Sequence, residues 1–348
     1  MSSTPATDDI LMSAVDIVKQ FPVRSQSVFK RGRDNVHAVD GVTLNVRRGE
    51  TLGLVGESGC GKSTLGRCLL RLIDPTSGQI IFDGQDITQL SRRQLRPVRS
   101  QMQMVFQDPY ASLNPRRRVG DILAEPLRVH GSVDRSRVRA QVGQLLETVG
   151  LDPAHSNRYP GEFSGGQRQR IGIARSLSLR PKLIVADEPV SALDVSIQAQ
   201  VLNLLEDLQE EFGLTYVFVA HDLGVVRHVS DRIGVMYLGE ILEIGPVDAV
   251  FERPRHPYTE VLLKAIPQVV SEDNPDPKPQ QLKLRGEVPS AIDKPKGCSF
   301  HPRCDYATEI CRQVTPVLAD LGPQQVACHH PLPLLEGLAK GSVVPAST

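Results

Sequence analysis

The chain has 348 residues, of which 40% are apolar and 23% are charged, and its 40 Lys and Arg residues balance 40 Asp and Glu residues. This composition is typical of a folded protein and excludes disordered and fibrous classes, while the zero net charge argues against the basic surface of a nucleic-acid binder. The length exceeds one typical domain, so we expect a large core domain and a smaller appendage.

The sequence contains no targeting or membrane-spanning signal that we recognise. No run of about 18 consecutive apolar residues occurs, which is the length a spanning helix needs. Residues 1–9 are polar and acidic, without the basic and apolar regions of a secretory signal. We therefore expect a cytosolic protein in which residues 1–10 are disordered.

The first part of the chain predicts strands followed by a helix. Residues 11–18 form an apolar-rich strand candidate, and after a Gly/Arg-rich loop the alternation of Val42, Leu44 and Val46 indicates a second strand. Residues 51–55 form a short apolar strand that runs into a glycine loop. Helical spacing then starts at Lys62 and is expected to last to residue 73.

Later segments alternate between helices and strands. Residues 108–180 are expected to form a helical insert, with one helix at 137–149. Strand patterns return at 183–186, 215–220 and 233–237, and a helix is predicted at 197–212, between the first two of these strands. Such alternation predicts an α/β fold with a mainly parallel sheet, preceded here by an antiparallel β subdomain.

Composition also suggests where the domains end. We expect a main domain over residues 11–267, followed at 268–280 by a linker rich in Pro and charged residues. Residues 281–332 form a Cys-rich extension. The remaining residues, 333–348, are expected to be a flexible tail.

A glycine-rich loop between a predicted strand and a predicted helix fits the phosphate-binding pattern G-x-x-x-x-G-K-[ST]. Backbone N–H groups of such a loop face phosphate oxygens, Lys62 would contact the β- and γ-phosphates of ATP, and Ser63 would bind Mg²⁺. Cys60 would contribute its backbone N–H, and its place near a helix N-terminus predicts an exposed thiol with a lowered pKa. The alternative is a Gly-rich turn that matches by chance. The loop comprises Gly56, Glu57, Ser58, Gly59, Cys60, Gly61, Lys62, Ser63 and Thr64.

Two adjacent carboxylates end the predicted strand at 183–186. Side chains alternate between the faces of a strand, so Asp187 and Glu188 can take different roles. Asp187 would reach Mg²⁺ through its water shell, and Glu188 would act as a general base on the attacking water. The alternative is a pair of solvated acids.

Ser164, Gly165, Gly166 and Gln167 precede the helical run 171–179, and with them the sequence resembles the ABC ATPase family. In that family this signature loop completes the ATP site of the opposite subunit. A hydroxyl and two free N–H groups at a helix start are suited to holding a phosphate. A helix N-cap that binds no ligand is the alternative.

The same resemblance implies roles for four further residues. Gln107 corresponds to the glutamine that senses Mg²⁺ and the attacking water, and Asp194 lies in the loop after the acidic pair. His221 corresponds to the switch histidine near the γ-phosphate, and Phe21 to the aromatic that stacks on adenine. A structural histidine and an ordinary core phenylalanine remain the alternatives.

A narrower resemblance covers nearly the whole chain. Residues 106–115, 158–164, 187–195 and 255–259 resemble the ATPases of dipeptide/oligopeptide and related nickel importers, and most closely the second, F-type ATPase of a dipeptide system. The resemblance implies ATP hydrolysis that energises import. Its implied partners are two transmembrane permeases, a second related ATPase in a heterodimer or homodimer, and an extracytoplasmic solute-binding protein. It also implies a peripheral place on the cytoplasmic face of the inner membrane, and no nucleic-acid partner.

Cys298, Cys304, Cys311 and Cys328 crowd into the Pro-rich extension, where a metal centre could supply cross-links. The close C-x2-4-C pairs of zinc sites are absent. The importer family resembled carries a four-cysteine [4Fe-4S] site here, which Cys ligation would suit. Zinc and unligated thiols remain alternatives, with His301, His329 and His330 as possible substitute ligands. The linker is expected to separate this region from the chemistry at Lys62 and Glu188.

Two other classes share the phosphate loop. Soluble ABC ATPases of DNA repair or the ribosome usually carry coiled-coil insertions or two fused cassettes, and neither is evident in this sequence. P-loop kinases and GTPases have no use for the Ser164–Gln167 signature. An importer ATPase for nickel or another small solute remains an alternative to the peptide importer, because the ATPase subunit does not contact the solute.

Overall fold

The structure is a computed structural model that describes residues 9–24, 33–131, 133–134, 136–265 and 287–333. The segments expected to be a disordered N-terminus, a linker and a flexible tail lie outside these ranges, except for residues 9, 10 and 333.

The described strands form a four-stranded antiparallel sheet and an eight-stranded mixed sheet. In chain order the strands are Ile10–Arg24 (β1), Arg33–Arg47 (β2), Thr51–Val55 (β3), Ser77–Phe82 (β4), Gln85–Asp86 (β5), Met102–Val105 (β6), Leu183–Asp187 (β7), Thr215–Val219 (β8), Arg232–Tyr237 (β9), Glu240–Pro246 (β10), Ala319–Leu321 (β11) and Gln324–Val326 (β12). The smaller sheet has the order β2-β1-β4-β5, and the larger sheet has the order β11-β12-β10-β9-β3-β8-β7-β6.

The helices include the predicted helical insert between β6 and β7. The helix predicted to reach residue 73 ends at Leu69, because Arg71 takes a left-handed backbone with φ 49°. The helices are Lys62–Leu69 (α1), Arg92–Arg99 (α2), Pro109–Ser112 (α3), Val119–His130 (α4), Val138–Thr148 (α5), Gly165–Leu177 (α6), Val195–Phe212 (α7), Leu223–Val229 (α8), Val247–Glu252 (α9), Pro257–Lys264 (α10) and Glu309–Gln313 (α11).

The centre of the larger sheet is parallel. β6 pairs with β7, β7 with β8, β8 with β3, and β3 with β9, all in parallel register. Every residue of β3, β7 and β8 is buried, as expected for strands covered on both faces. This confirms the predicted α/β class and the N-terminal antiparallel sheet.

Two hydrophobic clusters hold the layers together. One packs α1 between the two sheets and includes Met12, Leu65 and Val217. The other packs the helices of the insert together and against the larger sheet, and includes Leu146 and Ile173. Together they fix the strand ends from which the candidate site is built.

The Cys-rich extension joins the larger sheet. β12 pairs with β10 through Glu243 opposite Val326 and Ile244 opposite Gln325, and β11 pairs with β12. The expectation that a linker keeps this region apart from the nucleotide core is therefore wrong for its described part. The domain limits given above remain a proposal.

Candidate nucleotide site

The candidate site lies at the carboxyl edge of the parallel strands. The phosphate loop follows β3, Glu188 follows β7, His221 follows β8, and Gln107 follows β6. Because neighbouring parallel strands end at one edge, four segments distant in sequence meet there.

Two glycines of the phosphate loop have conformations that exclude a side chain. Gly56 has φ 148° and Gly61 has φ 107°. A Cβ at Gly56 would lie 2.1 Å from the Met236 carbonyl oxygen, and one at Gly61 would lie 2.0 Å from that of Ala38. Any larger residue would therefore displace the loop from the strands behind it.

Lys62 begins α1 and points back into the loop. Its Nζ donates to the carbonyl oxygens of Gly56 at 2.8 Å and Glu57 at 3.1 Å, and the residue is only 4% exposed. The ammonium is therefore held by the backbone of the loop itself.

The thiol of Cys60 is buried rather than exposed. The residue is 4% exposed, and desolvation raises the pKa of the thiol although Lys62 acts in the opposite direction. The predicted exposed thiol with a lowered pKa is therefore wrong, because the side chain turns into the core while its backbone stays in the loop.

Ser63 and Asp187, which were expected to hold Mg²⁺, are in direct contact. The Ser63 hydroxyl donates to Asp187 Oδ1 at 2.6 Å, and Arg67 Nη2 lies 3.5 Å from Asp187 Oδ2. The Asp187 side chain is fully buried. A hydroxyl and a carboxylate in contact are hard oxygen donors of the kind Mg²⁺ prefers.

The side chains of Gln107 and His221 meet at the carboxylate of Glu188. Gln107 Nε2 donates to Glu188 Oε2 at 2.7 Å, and His221 Nδ1 lies 3.4 Å from the same oxygen. Glu188 has a left-handed backbone with φ 47°, and its N–H donates to the Val219 carbonyl at 2.8 Å. A strained non-glycine residue at a strand end is typical of functional sites.

The signature residues begin α6. Ser164 is the N-cap: its hydroxyl accepts from the Gln167 N–H at 3.3 Å, and Gln167 Oε1 accepts from the Ser164 N–H at 3.0 Å. A Cβ at Gly166 would lie 2.5 Å from Ile197 Cγ2, so α6 and α7 approach closely there. Gly165 is the first residue of α6. Ser164 is exposed, as is Asp194 at the N-cap of α7.

Phe21 lies on β1 opposite Val36 and is half-buried. The Lys19 ammonium lies 5.0 Å from the centre of its ring. Phe21 belongs to neither hydrophobic cluster described above. Its stacking on adenine stays a prediction.

Sequence reasoning missed the residues that hold Glu57. The Tyr258 hydroxyl accepts from the Glu57 N–H at 3.0 Å. The Arg303 guanidinium donates to both Glu57 carboxylate oxygens, at 2.8 and 3.1 Å, and to the Tyr237 hydroxyl at 3.3 Å. Tyr258 lies within the segment 255–259 that carries the family resemblance, but nothing in the sequence pairs it or Arg303 with Glu57, because these contacts with Glu57 span more than 200 positions of the chain.

The four extension cysteines line one small cavity together with Phe300 and several histidines. Burial raises the pKa of Cys298 to about 12 and that of Cys328 to about 11. Nevertheless, within the described ranges no three His, Cys, Asp or Glu side chains are grouped closely enough to hold a metal ion.

The histidines proposed as substitute ligands are engaged in hydrogen bonds. His301 Nδ1 lies 2.9 Å from the Cys298 carbonyl oxygen, and His329 Nε2 lies 2.8 Å from that of Val314. His330 Nε2 lies 2.7 Å from the Thr308 hydroxyl. We also find no helix in the described ranges that is long and apolar enough to cross a membrane.

Two family profiles match the chain. Residues 39–191 match the profile described as "ABC transporter", and residues 242–311 match "Oligopeptide/dipeptide transporter, C-terminal region". The first range holds the phosphate loop, the signature and the acidic pair. The second covers most of β10 and three of the four extension cysteines.

Characterised relatives match along almost their whole length. The oligopeptide transport ATP-binding protein AppF of Bacillus subtilis is 53% identical, over 94% of this chain and 99% of its own. The di/tripeptide transport ATP-binding protein DppF of Pseudomonas aeruginosa is 51% identical over 92% and 98%. The dipeptide transport ATP-binding protein DppF of Escherichia coli is 49% identical over 94% and 97%. None of these names mentions a metal or a cluster.

A solved structure of a dimeric ATP-binding cassette, bound to ADP and phosphate after hydrolysis, is also similar. It is 30% identical, has a TM-score of 0.60, and matches 68% of this chain and 99% of its own. Fold, site and relatives agree, and the chain is an ATPase that belongs to the ABC transporter family of oligopeptide and dipeptide transport ATP-binding proteins.

Proposed function

We propose that the chain energises an importer of dipeptides or oligopeptides by binding and hydrolysing ATP at the carboxyl edge of its parallel sheet. The observation that carries this proposal is the convergence of Gln107 and His221 on the Glu188 carboxylate, next to the Ser63–Asp187 pair. The peptide substrate class rests on the names of the relatives.

The residues would share the reaction as follows. Glu188 accepts a proton from water as the water oxygen bonds to the γ-phosphorus and the bond from that phosphorus to the bridging oxygen breaks, releasing ADP and phosphate. Gln107 orients the carboxylate and the water, and His221 supports the γ-phosphate. Lys62 and the loop N–H groups neutralise the phosphates. Ser63 and Asp187, directly and through water, would hold Mg²⁺, which neutralises charge developing on the β- and γ-oxygens.

The second half of the ATP site would come from a partner subunit. Ser164, Gly165, Gly166 and Gln167 start a helix with exposed polar groups, and Asp194 lies exposed beside them. We assign these residues to the nucleotide bound by the opposite ATPase. Closure of the pair by ATP would drive two permeases at the cytoplasmic face of the membrane, supplied by a solute-binding protein.

The proposed arrangement also keeps the domain limits derived from the sequence. Residues 11–267 form the ATPase, with the helical insert at about 108–180, and residues 281–332 form the Cys-rich extension.

The four cysteines of the extension are proposed to hold a [4Fe-4S] cluster. All four line one cavity, yet the described side chains offer no group that could hold a single metal ion. Cysteine thiolates are the ligands that hold such clusters. Unligated thiols and zinc are the competing outcomes.

Metal analysis tests this cluster. Anaerobically purified full-length chain is expected to be brown and to contain about four iron atoms, and Cys304→Ser should deplete them. One zinc without iron would contradict the cluster, and the absence of both metals would contradict a shared site.

Transport by the assembled complex tests the function. With permeases, partner ATPase and binding protein in vesicles, ATP hydrolysis should rise when the binding protein is loaded with a dipeptide or oligopeptide, and labelled peptide should accumulate. Stimulation by nickel alone would instead identify a nickel importer. Full activity without any permease would indicate a non-transport ATPase.

A further inference from the structure

Glu57 is an acidic residue within a loop that must bind a polyanion. Its backbone lies in the first turn of the phosphate loop, and Lys62 Nζ donates to its carbonyl oxygen at 3.1 Å. A carboxylate here repels phosphate groups unless a cation neutralises it, because Coulomb repulsion acts strongly across a partly desolvated site.

Arg303 supplies that cation from the Cys-rich extension. The two terminal nitrogens of its guanidinium each donate to one Glu57 carboxylate oxygen, at 2.8 and 3.1 Å. The Arg303 side chain is 5% exposed and that of Glu57 is 20% exposed. Such a bidentate pair fixes geometry as well as charge, and Arg is the residue best shaped for it.

A second set of contacts also connects this segment of the extension to Glu57. Phe300, three positions before Arg303, packs with its ring centre 5.2 Å from that of Tyr258. The Tyr258 hydroxyl accepts the Glu57 N–H at 3.0 Å. Glu57 is therefore held through its side chain by Arg303 and through its backbone by a tyrosine that Phe300 supports.

The extension residues that make these contacts lie between two of its cysteines. Phe300 and Arg303 lie between Cys298 and Cys304, and a one-turn helix at His301–Arg303 sets the direction of the guanidinium. The order of this segment and the position of Glu57 are thus mechanically linked.

We propose that Arg303 is a positioning residue of the nucleotide site, which neutralises and fixes Glu57 and thereby couples the folding of the Cys-lined segment to the affinity for ATP. The inference rests on the proposed role of the Lys62 loop in ATP binding. It assigns the extension a role in the ATP site besides that of a structural appendage.

The test compares ATP affinity in full-length variants. Equilibrium displacement of a fluorescent ATP analogue by ATP, without Mg²⁺ so that no hydrolysis occurs, should show a loss of about five- to tenfold for Arg303→Gln. Arg303→Lys keeps the charge but not the bidentate geometry, and should lose less. In the assembled complex, Arg303→Gln should raise KM for ATP while kcat stays within about twofold, because the Glu188 cluster is untouched.

The matched control is Lys294→Gln. Lys294 also ties the extension to the nucleotide core, through Asp40 and Glu240 at 2.7 Å each, but it does not contact the phosphate loop. Its ATP affinity should stay within about twofold of the parent. An equal loss in this control would show that Arg303 acts only by docking the extension, and would overturn the proposal.

Removal of the carboxylate provides the decisive variant. In a Glu57→Gln background no anion remains to be neutralised, so Arg303→Gln should change ATP affinity by less than about twofold. A full loss in that background, or no loss from Arg303→Gln alone, would overturn the proposal.

If Arg303→Gln does not fold, Arg303→Lys with and without Glu57→Gln gives the same comparison. Lys62→Ala tests the proposed ATP-binding role of the loop separately from the role of Arg303. If Lys62→Ala leaves ATP affinity unchanged, the assignment of the loop to ATP binding fails.

Discussion

The ATP site and the Cys-rich extension are built in different ways. The site is assembled from short segments directly after buried parallel strands, so each functional side chain has its own local support. The extension has two three-residue strands and short helical turns, and its buried Cys298, Phe300 and Cys311 belong to the same hydrophobic cluster as the helical insert. The described part of the extension thus has no separate core.

The difference shows that a segment marked by its own motif need not be an independent unit. β12 extends the larger sheet beyond β10, and Lys294 joins Glu240 of β10 to Asp40 of β2. Such a region gains its order from the nucleotide core, so the two should gain and lose stability together.

Removal of the Glu188 carboxylate should abolish ATP hydrolysis but leave ATP binding intact. Glu188→Gln is expected to lower steady-state ATP hydrolysis by at least about 10²-fold while retaining ATP binding, because only the proton acceptor is removed. Phosphate release by the assembled complex measures this effect. Glu210→Gln, an exposed carboxylate on α7, is the matched control. Near-parental turnover in Glu188→Gln would contradict the general-base role.

Binding itself should depend on the loop lysine. Lys62→Ala removes the ammonium that Gly56 and Glu57 now hold and should weaken ATP binding by about tenfold or more. Titration of the full-length chain with ATP measures the affinity. Equal affinity in parent and variant would show that the loop binds phosphate without this residue.

Because the extension shares its core with the rest of the chain, truncation of one buried extension side chain should lower the stability of the whole chain. Phe300 is 1% exposed and contacts the rings of Tyr237 and Tyr258, so Phe300→Ala should lower the free energy of unfolding by about 3–5 kcal/mol. Thermal unfolding should keep a single transition at a lower temperature. Tyr306→Ala, at an exposed position, should have little effect. A separate early transition in Phe300→Ala would indicate an independently folded extension.

The smallest effect concerns the junction of the two sheets and depends on pH. Hydrogen bonds from Arg48 and Lys182 lower the pKa of Asp83 in the folded state. Its stabilising contribution is therefore present above the ordinary pKa of an aspartate, about 3.9, and is lost as the pH falls through the lowered pKa.

Asp83→Asn should accordingly lower stability at pH 7 by about 1 kcal/mol or less, since the group is only partly buried, and parent and variant should converge at strongly acidic pH. Denaturant unfolding at several pH values measures this. A difference that is constant with pH would show that the carboxylate charge does not contribute.

Much of the ATP site follows from the sequence because its information is local. A strand, a glycine loop and a helix in succession predicted the fold around Lys62, and the alternation of strands with helices predicted the mainly parallel sheet to which the strand before Asp187 and Glu188 belongs. The structure brings together Gln107, Glu188 and His221, as the family resemblance implied, although their catalytic roles await the tests above.

The tertiary structure alone decided the contacts between distant segments. Local pattern placed Cys60 in an exposed loop, but packing against the core buried its thiol and raised its pKa. Likewise, four cysteines and a Pro-rich linker marked the extension as separate, whereas Arg303 reaches the phosphate loop from there and Phe300 packs against Tyr258, which binds the same loop. Periodicity and spacing report which face of an element is apolar, but they do not report which remote side chain meets it. Remote residues such as Glu57 and Arg303 become partners only when the whole chain packs and brings them into contact.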